Sequence, residues 1–118
     1  MAKVPICSIT KDLYEGVKGR KAQVKCLQRT LNNWRAMGAP YVVNYGPPIS
    51  QIPVLAIDGK FGPLTRKVVM KFQRSRLNVF PIPDRHPSID GYVGPETRRW
   101  LKRFIPKRYV VVTPVVRR

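Results

Sequence analysis

Hydrophobic and polar residues alternate at helical spacing in the second half of the chain. After Pro95, the residues Thr97, Trp100, Leu101 and Phe104 fall at i, i+3, i+4 and i+7, one face of a helix. After Pro63 the equivalent positions are Val68, Val69 and Phe72, with Leu77 beyond. The loops ahead of these two helices are also alike. Residues 58–72 read DGKFGPLTRKVVMKF, and residues 90–104 read DGYVGPETRRWLKRF. Asp58, Gly59, Gly62, Pro63, Thr65, Arg66 and Phe72 recur at Asp90, Gly91, Gly94, Pro95, Thr97, Arg98 and Phe104, each 32 positions on. The chain contains an internal repeat.

Each copy has a mechanical logic. Asp-Gly is a turn pair, because Asp bonds nearby backbone groups and Gly accepts positive φ. The apolar residue that follows, Phe61 or Val93, anchors the loop in a core. Gly-Pro then opens a helix, since proline at the first helical position loses no needed N–H. Each repeat is therefore a tight loop feeding an amphipathic helix.

This pattern resembles the three-helix peptidoglycan-binding domain found beside bacterial and phage cell-wall hydrolases. In that family a helix with a Leu-Gln pair precedes Asp-Gly-x-Phe-Gly-Pro-x-Thr. A second helix ending in Phe-Gln follows, then a second Asp-Gly-x-Val-Gly-Pro-x-Thr and a third helix. The first helix is expected over Val24–Trp34, with its pair at Leu27-Gln28, and the second pair is Phe72-Gln73. The resemblance makes Gln28, Asp58, Gly59, Gly62, Pro63, Thr65, Gln73, Asp90, Gly91, Gly94, Pro95 and Thr97 the fold motif. It implies a mainly α fold, a small three-helix bundle over residues 21–105, with arms over 1–20 and 106–118. It also implies non-catalytic binding of peptidoglycan. The same fold resembles the pro-domain of matrix metalloproteases, so fold and function are separate inferences.

The chain departs from the family in two Pro-rich inserts, residues 35–57 and 78–89. The first holds Tyr41, Tyr45, Pro47 and Pro48, and the second Phe80, Pro83, His86 and Pro87. Both are partly apolar and are expected to pack on the bundle as ordered loops. The further departure is charge. The 118 residues include 23 Lys and Arg against 6 Asp and Glu, a net charge of +17. Lys21, Lys25 and Arg29 line one face of the first helix. Arg66, Lys67, Lys71 and Arg74 lie on the second helix, and Arg98, Arg99, Lys102 and Arg103 on the third. After Glu96 the sequence has no acidic residue. Such self-repulsion is best tolerated against an anionic partner.

The partner classes are peptidoglycan or another anionic surface, an acidic virion protein lattice, and non-specific nucleic acid. No zinc-finger, RNA-binding or helix-turn-helix signature is present, so nucleic acid rests on charge alone. Catalysis is not expected, and neither is a metal or other cofactor. His86 is the sole histidine, too few for a zinc hydrolase. Asp58 and Asp90 are better explained as turn residues than as a glycosidase pair. Cys7 and Cys26 lack the partners of a thiol nucleophile. Cys26 either is buried as a free thiol in the first helix or bridges to Cys7, which would pin the N-terminal arm.

Met1–Arg20 has no apolar run of signal-peptide length, and no segment approaches a membrane span. The expected setting is a bacteriophage protein made in the host cytoplasm, then carried in the virion or released to the wall on lysis. The run Tyr109–Thr113 is β-rich. It is suited either to a neighbour's sheet edge or to a strand on its own bundle, against Tyr41–Asn44. The runner-up reading is accordingly a structural virion protein, a capsid cement, adaptor or tail component that reuses the fold. For ligand contact the repeat loops offer Lys60, Arg66, Tyr92 and Arg98. The plain alternative has Tyr92 in the core and the cations merely solvated.

Overall fold

The computed structural model describes residues 2–40, 52–76 and 89–110. These carry strand β1 (Ala2–Pro5), helix α1 (Lys21–Ala36), helix α2 (Pro63–Ser75), helix α3 (Pro95–Leu101) and strand β2 (Lys107–Val110). A 3-10 turn over Lys102–Phe104 extends α3. Among the described residues the result is a small, mainly helical domain with three helices and one two-stranded sheet.

The helices start where the turn chemistry places them. Gly62 and Gly94 are extended, and Pro63 and Pro95 take the first helical positions. Helix α1 begins at Lys21, ahead of the expected Val24, because its first turn, Lys-Ala-Gln, has no apolar signal to read. Phe104 reaches the core from the 3-10 turn rather than from α3 itself.

Each helix turns its apolar face to one core. Val24, Leu27, Leu31 and Trp34 come from α1, Val68, Val69 and Phe72 from α2, and Trp100 and Leu101 from α3. Phe72 is the hub. Its ring meets Trp34 edge-on at 5.2 Å and Phe104 edge-on at 5.7 Å, a favoured aromatic geometry. Phe61 and Val93, the loop anchors of the two repeats, are both buried. In the described part of the first insert Val54 and Ile57 are exposed, while other apolar residues turn inward. Ile52 and Leu55 are buried, Asn32 exchanges two 2.8 Å hydrogen bonds with the Leu55 backbone, and Arg35 donates to the Ile52 carbonyl.

The N-terminal segment lies across both repeats. Leu13, fully buried, exchanges backbone hydrogen bonds with Val93 at 3.0 and 2.8 Å. The Gly16 N–H donates to the Phe61 carbonyl at 2.9 Å. Cys7 and Cys26 form a disulfide, which settles the alternative left open by the sequence. Strands β1 and β2 pair antiparallel, with Ala2 opposite Val110 and Pro5 opposite Lys107. The described C-terminal strand therefore pairs with the chain's own N-terminal strand, and it begins at Lys107, before the expected Tyr109. The expectations for Tyr41–Asn44, Leu77, Phe80, His86 and the residues after Val110 lie outside the described residues.

Candidate functional site

Two buried glutamines build the loops. Gln28 of α1 donates through Nε2 to Asp58 Oδ1 at 2.9 Å, to the Lys60 carbonyl at 3.0 Å and to Thr65 Oγ1 at 3.3 Å. Its Oε1 accepts from the Gly59 N–H at 3.0 Å. Gln73 of α2 repeats the arrangement on the second loop. Its Nε2 donates to Asp90 Oδ1, the Tyr92 carbonyl and Thr97 Oγ1 at 3.2, 2.9 and 3.1 Å, and its Oε1 accepts from the Gly91 N–H. Asp58 and Asp90 each also accept from the N–H two residues on, at Lys60 and Tyr92. The donors from the Lys60 backbone and Gln28 hold the Asp58 carboxyl below its usual range.

The glycines are required by the same geometry. Gly59 and Gly91 have φ of +75° and +76°. A Cβ at Gly59 would stand 2.4 Å from Lys21 Cγ, and one at Gly91 2.5 Å from Arg66 Cγ. Lys21 thus lies on the first loop as Arg66 lies on the second. Gln28, Asp58, Gly59 and Thr65 thus form one clamp and Gln73, Asp90, Gly91 and Thr97 a similar one, in which Gln73 also accepts from the Asp90 N–H.

The second loop carries the candidate site. Tyr92 is exposed at 41%, so it is not a core residue. Its hydroxyl donates to Asp12 Oδ2 at 2.8 Å, and Arg98 Nη1 pairs with Asp12 Oδ1 at 2.9 Å. Tyr14 stacks on Tyr92, with ring centres 5.6 Å apart and planes 4° from parallel. The donated hydrogen bond to Asp12 pushes the Tyr92 phenol above its ordinary value of 10.0. Arg66 extends from α2 to the Asp90 carbonyl at 3.4 Å. Arg66, Tyr92 and Arg98 therefore gather at one loop, while Lys60 stands exposed on the other. Because Arg98 holds Asp12, reversing its charge carries a structural cost.

Asp12 and Tyr14 were not among the sequence candidates. They sit outside the repeat and outside any period, and only the Leu13–Val93 pairing brings them to the loop. A second feature was equally hidden. Arg76 is 1% exposed, and its guanidinium lies 3.9 Å from the Trp100 ring centre, with that of Arg103 at 4.5 Å. Burial pushes the Arg76 guanidinium down to about 10.

The exposed surface offers two parallel aromatic rings, a phenol, guanidinium groups and a carboxylate. That set suits hydrogen-bonded recognition of a polar ring or chain. Among the described residues, no three of His, Cys, Asp and Glu gather as metal ligands. No helix is long and apolar enough to cross a membrane, among the described residues. No family model, curated protein or solved structure matches the chain.

Proposed function

We propose that this chain is a non-catalytic binding module for bacterial cell-wall peptidoglycan, acting in a bacteriophage setting, with its helices arranged as in the three-helix peptidoglycan-binding domain. The observation that carries the reading is the second repeat loop. There Tyr92, Arg98 and Arg66 are collected with Tyr14 and Asp12 on a backbone clamped by Gln73. Peptidoglycan presents the C–H faces of sugar rings, which pack on aromatic rings, and stem-peptide carboxylates, which pair with a guanidinium such as that of Arg66. Rigid support for such a constellation is what binding requires.

The test is co-sedimentation with teichoic-acid-free sacculi at high salt, with duplex DNA as competitor. The wild-type chain is retained. The double variant Tyr92→Ala with Arg66→Gln loses at least about tenfold in retention, equal to about 1.4 kcal/mol. Lys60→Gln, on the other loop, changes little. Wild-type release at high salt sinks wall binding, and full retention by the double variant removes the second loop from the site.

A further inference from the structure

We propose that the groove between the N-terminal segment and α3 is a second binding site, for a short peptide with a free carboxylate, and that the Cys7–Cys26 disulfide forms it. The groove has a volume of about 380 Å³, within the range of small-ligand sites. Ser8, Ile9 and Thr10 form one wall, and Pro95, Arg99 and Lys102 the other. Pro5 and Ile105 add apolar surface, and Cys7 stands in the lining itself.

Charge decides the ligand's sign. Arg98 at the rim is already paired with Asp12. Arg99 and Lys102 are exposed and make no ion pair with any described residue. No acidic residue lines the groove. Of the chain's six acids, Asp58 and Asp90 hold the loops, Asp12 pairs with Arg98, and none follows Glu96. A carboxylate from another molecule is the complement.

The backbone decides the ligand's class. Ser8 and Ile9 lie between β1 and the bonded residues Thr10 and Lys11, and they make no main-chain hydrogen bond to any described residue. A segment with open N–H and C=O groups is what a peptide backbone can pair with. An inorganic anion could take the N–H groups but would leave the C=O groups and the apolar surface of Ile9 unused. The disulfide sets the wall's position, because it ties Cys7 to α1 only three residues before Thr10. Thr10 in turn is fixed by Gln23, which accepts from the Thr10 and Lys11 N–H groups at 3.0 and 2.8 Å.

The test is fluorescence anisotropy of the full chain with a labelled tetrapeptide ending in alanyl-alanine, as the free acid and as the C-terminal amide. The acid is expected to bind at least about tenfold tighter than the amide. Arg99→Gln with Lys102→Gln abolishes that preference, while Lys67→Gln with Arg74→Gln, the same charge change on α2, preserves it. The Cys7→Ser, Cys26→Ser variant binds the acid at least about fivefold more weakly, with the helical circular dichroism signal intact. Equal binding of acid and amide overturns the site, as does an effect of the α2 pair matching that of Arg99 and Lys102. Undiminished binding by the cysteine variant overturns the role of the disulfide. The groove shares Arg98 with the second loop but does not rest on that reading, since Tyr92→Ala with Arg66→Gln leaves this peptide preference in place.

Discussion

Gln28 occupies a buried position where leucine would fill the same space, and its contribution is its polar atoms. Removing the side chain deletes the two N–H donors shared among Asp58, the Lys60 carbonyl and Thr65, and strands the Gly59 N–H. Orphaned buried groups cost about 1–3 kcal/mol each, against a net 0.5–1.5 for an ordinary hydrogen bond. Gln28→Ala and Gln73→Ala are each expected to destabilise the fold by about 3 kcal/mol in urea unfolding. A loss below about 1 kcal/mol would mean that water replaces the side chain and that the clamp is not structural. The repeat marked these glutamines in the sequence, because duplication repeats them. It did not reveal their partners, since Gln28 and Asp58 meet only after the chain has folded across 30 positions.

At the scale of elements, the repeating unit is a helix followed by its loop. Gln28 and Gln73 are 45 positions apart, while Asp58 and Asp90 are 32 apart, and the difference is absorbed by the longer first insert. On the same 45-position step Lys21 matches Arg66, and Leu31, fully buried, matches Arg76. Helix periodicity made α2 and α3 legible, because their apolar faces are strict. The N-terminal segment has no period, and its register is fixed by contacts at Cys7, Gln23 and Leu13 that only the folded chain defines. The disulfide spans a sequence separation of 19, and a closed loop of that size restricts the unfolded chain by about 3 kcal/mol. Cys7→Ser with Cys26→Ser should lower unfolding free energy by about that amount and raise amide exchange at Leu13 and Gly16. Unchanged exchange at these two residues would show that Leu13 burial alone holds the segment.

Across the whole molecule, charge outweighs every other feature of the surface. At +17, repulsion opposes compaction wherever neighbouring helix faces carry cations without acids between them. Added salt screens exposed charges beyond about 8 Å at physiological strength. The melting temperature is therefore expected to rise between about 0.02 and 0.5 M sodium chloride, as the screening length shrinks. A fall would mean that pairs such as Arg98–Asp12 outweigh the repulsion, contrary to the modest value of exposed ion pairs. Net charge was fully legible in the sequence. Its sorting into a clustered second loop and an open α3 groove was not, because both depend on where residues 5–14 are laid.

The pairing of β1 with β2 also fixes how the molecule would answer to mechanical load. Ala2 lies opposite Val110, so tension applied through these two residues peels the strand bonds one after another instead of shearing them together. Beyond Cys7 the force path changes course. It crosses the sulfur bridge into α1 at Cys26, and the residues between the cysteines carry no tension. Ser8, Ile9, Thr10, Asp12 and Tyr14 all lie in that sheltered span. A molecule tugged through these two residues would surrender its small sheet first, while the span between the cysteines stays outside the covalent line of force.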